Sequence, residues 1–437
     1  MHIPDGYLSP IMSLGAAIAT VPAWAIAVRR VQSVLNNRTV PLLAIFSAFA
    51  FTIMMFNVPV PGGTTAHGVG GTLMAVVLGP AAAIIGVSMA LIIQALFFGD
   101  GGILAIFVNC LNMGILLPVV GYGVYRLIAG RSPMLSTRRV WAAGIGAYVG
   151  ITVSALAVAL ELGVQPLLFV ANGRAMYSPY GLAEALPAML LAHAFGASIV
   201  EALITALGVA YLQKQHPEYL TAARNVFAGP DVAEGQRSKR PLWQVISVSV
   251  AATLLVLFVG GLITGGGNIG HLFGADWSRV NWADVGTMLL LVLVIAAVLI
   301  PLAGLLLPRR IKGIGTAFTA LAVFAPLGLI APGFAYGEGS ASDVQAAFGY
   351  IPRGLQDLSH IFSAPLAGYN LPFLGGGNEP LWRTAIGYEI SGVVGMLLLG
   401  GIMWGLALLL KRTNRKQAVE TPGADVHEMP RQDAHAA

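Results

Sequence analysis

The sequence predicts an all-α integral membrane protein, a polytopic helical bundle of about 11 transmembrane segments, on three observations. Of its 437 residues 57% are hydrophobic and 10% are charged, where a soluble domain carries about a quarter charged residues. Apolar runs long enough to cross a bilayer alternate with short polar connections, and the mean hydropathy is +0.78. Lys and Arg gather in a few of those connections. The net charge of +5 therefore follows the positive-inside pattern and gives no reason to expect a nucleic-acid partner. The single cysteine, Cys110, lies in an apolar run and rules out a disulfide within the chain.

The expected segments, in order, are Ile11–Val28, Pro41–Val60, Gly70–Leu78, Ala81–Phe98, Ile103–Tyr125, Val140–Leu162 and Leu182–Leu212, then Leu242–Ile263, Val285–Leu307, Ile314–Ala335 and Ile386–Leu410. Arg29, Arg30 and Arg38 follow the first of them, which places the N-terminus outside and that loop in the cytoplasm. The clusters Arg126 to Arg139, Lys214 to Arg240, Arg309 to Lys312 and Lys411 to Lys416 mark further inside loops and put the C-terminus in the cytoplasm. This alternation holds only if the run from Gly70 to Phe98 breaks at Gly79-Pro80, where proline removes a backbone donor. The short piece Gly70–Leu78 must then be buried among other helices. Residues 213–240 are polar and read as a cytoplasmic linker between a seven-segment module (1–212) and a four-segment extension (241–411). Residues 412–437 read as a disordered cytoplasmic tail.

The chain opens Met1-His2-Ile3-Pro4-Asp5-Gly6, without the basic stretch of a signal peptide. His2 is too large to favour methionine removal, so the Met1 amine is expected to remain. That amine, the backbone nitrogen of His2 and its imidazole can close two fused chelate rings on one metal ion. One further imidazole would complete a tetragonal four-nitrogen site, which suits Ni(II) or Cu(II), with Co(II) able to adapt, better than Zn(II). The fourth ligand should come from the same outer side. His67 qualifies, in the Gly-rich loop Gly62-Gly63-Thr64-Thr65-Ala66-His67-Gly68-Val69-Gly70. His271 and His360 also fall in outer loops, His193 lies mid-membrane, and His216, His427 and His435 fall in the cytoplasm.

These residues resemble the substrate-binding membrane subunit of the cobalt/nickel energy-coupling-factor (ECF) transporters, the CbiM/NikM family, in its long form with a C-terminal extension. Four matches carry the resemblance: Met1-His2-Ile3-Pro4-Asp5-Gly6-Tyr7-Leu8; Pro61 to His67 with the following glycines; Gln94 to Gly102 followed by Asn109 and Asn112-Met113-Gly114; and His193 with Glu201 and Thr205. Together they cover residues 1 to about 212. The resemblance implies metal ligation by the Met1 amine, the His2 amide and imidazole, and the His67 imidazole. It also implies two ATP-binding subunits and an ECF transmembrane coupling subunit as partners, a small auxiliary membrane subunit that the extension replaces, and a bacterial-type cytoplasmic (inner) membrane.

Buried amides and charges in membrane helices are costly and often functional. Gln94, Asn109 and Asn112 are expected to hydrogen-bond between helices, or in doing so to position the N-terminal segment, and Asp5 to clamp its loop. Asp100 reads as a turn residue, and Glu161 and Glu184 as interfacial. His193 and Glu201, eight residues apart, share a helix face and are expected to form a hydrogen-bonded or proton-linked pair, or a second metal stop. Gly15, Ala16, Ala17 and Ala19 suit a close helix contact with the coupling subunit. The chain has no G-x-x-x-x-G-K-[ST] and no H-E-x-x-H, so neither a P-loop ATPase nor a zinc protease is expected. The expected function is the specificity subunit of an ATP-driven Ni²⁺ or Co²⁺ importer, an ion carrier without a permanent cofactor. The alternatives are a proton-coupled secondary transporter using His193 and Glu201, or a membrane enzyme that uses a bound metal.

Overall fold

A computed structural model describes residues 1–32, 39–60, 64–222, 280–307, 312–331, 334–371, 373–374 and 379–419. The apolar runs become helices. They are α1 (Pro10–Gln32), α2 (Thr39–Met55), α3 (Gly71–Leu78), α4 (Pro80–Phe98), α5 (Ile106–Ala129), α6 (Thr137–Leu168) and α7 (Leu182–Gln215), followed by a short α8 (Pro217–Ala222). The second module contributes α9 (Trp282–Leu306), α10 (Lys312–Phe324), α11 (Ala341–Phe348), α12 (Arg353–Leu358) and α13 (Leu381–Val419). Among the described residues seven helices are long and apolar enough to cross a membrane, and two shorter ones, Thr39–Met55 and Gly315–Ile330, are also apolar. The chain is a multi-pass, all-helical membrane protein. The expected span Leu242–Ile263, most of the linker and the end of the tail lie outside the described residues.

The predicted break at Gly79-Pro80 is present. Gly79 takes φ 87°, which favours glycine, and Pro80 opens α4 where its missing N–H costs nothing. Every residue of α3 from Gly71 to Val77 is buried, as a segment too short to span must be. Other boundaries move. The helix expected over Ile314–Ala335 ends at Phe324 and tightens into a 3₁₀ turn, Ala325–Ile330, because Pro326 cannot donate to the preceding turn. The second segment stops at Met55, and Val58–Val60 instead pairs antiparallel with Thr64–Ala66. Helix α13 continues to Val419, into the region expected to be disordered.

Small residues set the helix contacts. A β-carbon on Gly146 would lie 2.5 Å from the Gly121 carbonyl, and one on Gly150 2.7 Å from the Leu117 carbonyl, so α5 and α6 touch backbone to backbone. The second module is fastened to the first by α13, where Gly395 faces the Phe51 ring and Tyr388 donates to the Met55 carbonyl (2.7 Å). Between α10 and α13 the chain lies across the end of the bundle that holds the N-terminus. There Tyr7 donates to the Gly339 carbonyl (2.7 Å), Thr64 to the Phe334 carbonyl (2.7 Å), and the Leu366 amide to the Phe97 carbonyl (2.8 Å).

Candidate metal centre

The first nine residues run into the bundle rather than over it. Met1, His2, Ile3, Tyr7 and Leu8 are all buried. Backbone polar groups taken out of water must be paired, and the pairing shows what holds the segment. Asn109 does so twice: its Oδ1 accepts from the Ile3 amide (2.9 Å) and its Nδ2 donates to the Ile3 carbonyl (3.2 Å). The Asp5 carboxylate accepts from the Ile103 (3.0 Å) and Leu104 (2.8 Å) amides, the clamp expected of it. Gly102 allows this approach, since a β-carbon there would overlap Asp5. Gly6, at φ 92°, turns the chain.

His67 reaches the same place from β2 (Thr64–Ala66), whose hairpin partner is β1 (Val58–Val60). Its ring centroid is 5.1 Å from that of His2, with 33° between the planes. His67 Nδ1 lies 2.9 Å from the Gly68 carbonyl, which fixes the proton there and leaves Nε2 as a lone-pair donor. The loop is held from below by Glu201 on α7. One oxygen of Glu201 accepts from the Val69 (2.7 Å) and Gly70 (2.8 Å) amides, the unpaired donors before α3. This corrects the expected His193–Glu201 pair, for His193 Nδ1 instead donates to the Met189 carbonyl (2.7 Å). A π-helical turn, His193–Ala197, lies between the two residues and changes the helical register that the eight-residue spacing assumes.

Burial, then repulsion by the N-terminal ammonium, lowers His2 to about 3. The same two causes, with His2 itself, hold His67 well below the usual imidazole value. Both rings are therefore neutral at physiological pH, the state that binds metals. His2 Nδ1 sits 3.2 Å from Asp100 Oδ1, and with the ring neutral this contact is not an ion pair. Nε2 is buried without a hydrogen-bond partner. The expectation for Asp100 as a turn residue is corrected. Tyr369 donates to its Oδ2 (2.6 Å), Gln94 Nε2 lies 3.3 Å from the same oxygen, and burial raises its pKa.

A cavity of ≈ 80 Å³ joins these groups, lined by Met1, His2, His67, His193, Asp100 and Glu338 among others. It has room for an ion and a few waters. Among the described residues no three His, Cys, Asp or Glu side chains form a metal-holding group. Glu338, Tyr336 and Tyr369 come from the second module, and sequence reasoning missed all three. They sit in a long polar loop whose spacing carries no signal toward residue 1. Glu161, read as interfacial, accepts from Asn112 Nδ2 (2.6 Å).

The protein is thus a helical membrane bundle in which buried, neutral imidazoles line a small cavity. Residues 2–219 match the CbiM family, the cobalt uptake substrate-specific transmembrane region. Over 431 residues the chain is 37% identical to the fused nickel transport protein NikMN of Rhodobacter capsulatus, covering 94% of this chain and 99% of the relative. A "Probable fused nickel transport protein LarMN" of Lactiplantibacillus plantarum is 43% identical over 254 residues, 57% of this chain and 73% of that protein. A crystal structure of a truncated transition metal transporter is 55% identical, with 49% of this chain and 100% of that chain covered at a TM-score of 0.46. The chain belongs to the CbiM/NikM family of cobalt and nickel transporter subunits. It is a metal-transport protein.

Proposed function

We propose that this chain is the substrate-specificity subunit of an ATP-driven ECF importer in a bacterial-type cytoplasmic membrane. It captures Ni²⁺ or Co²⁺ with the Met1 amine, the His2 amide and imidazole, and the His67 imidazole. The observation that carries the reading is the convergence of Met1, His2 and His67 on one small cavity, although 65 positions separate the two histidines in sequence. The amine and the His2 amide lose protons on binding, so affinity rises with pH. Closing the chelate ring requires His2 Nδ1, which now faces Asp100 at 3.2 Å. A half-turn of the ring presents Nδ1 to the metal and Nε2–H to Asp100, giving the carboxylate–histidine–metal arrangement that orients ligating imidazoles.

Partner subunits supply the ATP hydrolysis, because the sequence has no P-loop. The resemblance provides an ECF coupling subunit and two ATP-binding subunits. The extension takes the place of the small auxiliary subunit, in keeping with the fused relative that matches it throughout. Cobalt and nickel accept the same nitrogen donors, so the ligand set leaves the choice between them to the titration. Purified chain titrated with Ni²⁺ and with Co²⁺ should bind one ion per chain. His67→Ala, and a variant with one residue ahead of Met1, should each lose high-affinity binding. Full affinity in the extended variant would sink the terminal-amine site.

A further inference from the structure

The second module reaches the cavity with a charged group. Glu338 Oε1 lies 3.2 Å from the amine of Met1, whose side chain is fully buried, while the Glu338 side chain is one-quarter exposed. The His2 backbone N–H points at the same carboxylate. Two of the proposed donor nitrogens thus share Glu338 in the metal-free chain. Asp100 lines the same cavity, against His2 Nδ1, and the two carboxylates are close enough to repel one another. An ion bound to the Met1 and His2 nitrogens would share that cavity with both of them.

Resting on the N-terminal site proposed above, we propose that Glu338 is a positioning and charge-balancing residue of that site, by which the second module completes it. A divalent ion that sheds its water in a buried cavity needs compensating charge nearby. Neutral imidazoles and an amine provide none, and one deprotonated amide provides only part. Of the charged side chains lining the cavity, Asp100 belongs to the first module and Glu338 to the second. In the metal-free chain Glu338 seats the amine. With the ion in place it faces the ion's charge, and the repulsion between the two carboxylates is relieved.

Two measurements on the whole chain test this. Glu338→Gln keeps an oxygen to accept from the amine but removes the charge, and Glu338→Asp keeps the charge on a shorter stem. Titrated with Ni²⁺, E338Q should bind about 10–100-fold more weakly than the unaltered chain, the usual loss when a partner behind the ligands is removed. E338D should recover most of that loss. E338Q at full affinity beside an inactive His67→Ala overturns the role of Glu338 alone. A His67→Ala chain at full affinity overturns the ligand site itself. The second measurement needs no substitution. A zero-length carbodiimide should join the Met1 amine to the Glu338 carboxylate in the metal-free chain, and prior loading with Ni²⁺ should suppress the Met1–Glu338 cross-linked peptide. Its absence without metal, or its persistence with metal bound, also overturns the proposal.

Discussion

His2 stays neutral only because the fold surrounds it, and that has a measurable consequence. Above the ordinary imidazole value of 6.5 the ring is neutral whether the chain is folded or not, so pH does not alter its contribution. Below that value the unfolded ring takes up a proton that the buried ring, lowered to about 3, refuses. Stability should therefore fall on acidification through this window, by about 1.4 kcal/mol for each pH unit from this one group. His67 acts in the same direction. Thermal midpoints of metal-free protein measured across the window should decline, and His2→Gln should flatten the decline. At this scale the sequence was most informative where ligand chemistry is contiguous. Met1 and His2 are adjacent, and the glycines around His67 mark a loop built for close approach. Asp100 was misread because a lone acid between glycines looks the same whether it turns the chain or accepts from a buried histidine. Its role depends on Tyr369, which sequence spacing cannot bring near.

Among the described residues three of the membrane helices carry a π-helical turn: Gln94–Phe98 in α4, Cys110–Leu116 in α5 and His193–Ala197 in α7. Each contains a polar residue of the site or its surroundings, namely Gln94, Asn112 or His193. Such turns widen the helix and redirect side chains, and they are frequent at functional positions. They also explain why helical periodicity located the helices but not which polar groups would meet. The broken α3–α4 pair was legible because Gly-Pro has only a few backbone solutions. The element that positions His67 is α3, whose first free amides are taken by Glu201 from α7. Glu201→Ala would orphan two buried donors, at about 1–3 kcal/mol each, and let the loop drift. The expected result is a lower thermal midpoint together with weaker Ni²⁺ binding. Glu201→Gln, which retains an acceptor oxygen, should be milder in both. Equal affinity in Glu201→Ala and the unaltered chain would show that α3 holds His67 without this support.

Residues from both ends of the chain line the same cavity. Helix α13 grips α2, and the connection from α10 to α13 covers the N-terminal segment, where Gly354 packs so closely on Gly6 that a β-carbon would lie 2.6 Å from its carbonyl. Composition and charge pattern made the membrane class legible, but no local signal foretold that the connection from α10 to α13 would lie across the N-terminal segment. Such contacts join residues hundreds of positions apart, and only packing brings them together. Energy coupling belongs to this scale as well. Reconstituted alone in vesicles, the chain should not accumulate Ni²⁺ or Co²⁺ in response to a pH gradient. Accumulation driven by that gradient would support the proton-coupled alternative. The contact of Met1 with Glu338, 337 positions along the chain, also imposes an order on biosynthesis. The first residue made must wait for one made late, roughly 17–67 s afterwards at ordinary elongation rates. For the terminal-amine ligand proposed above, this sets a deadline: any formyl group on Met1 has to leave before the covering loop closes over it. A chain that closed first would present a blocked nitrogen at the proposed site.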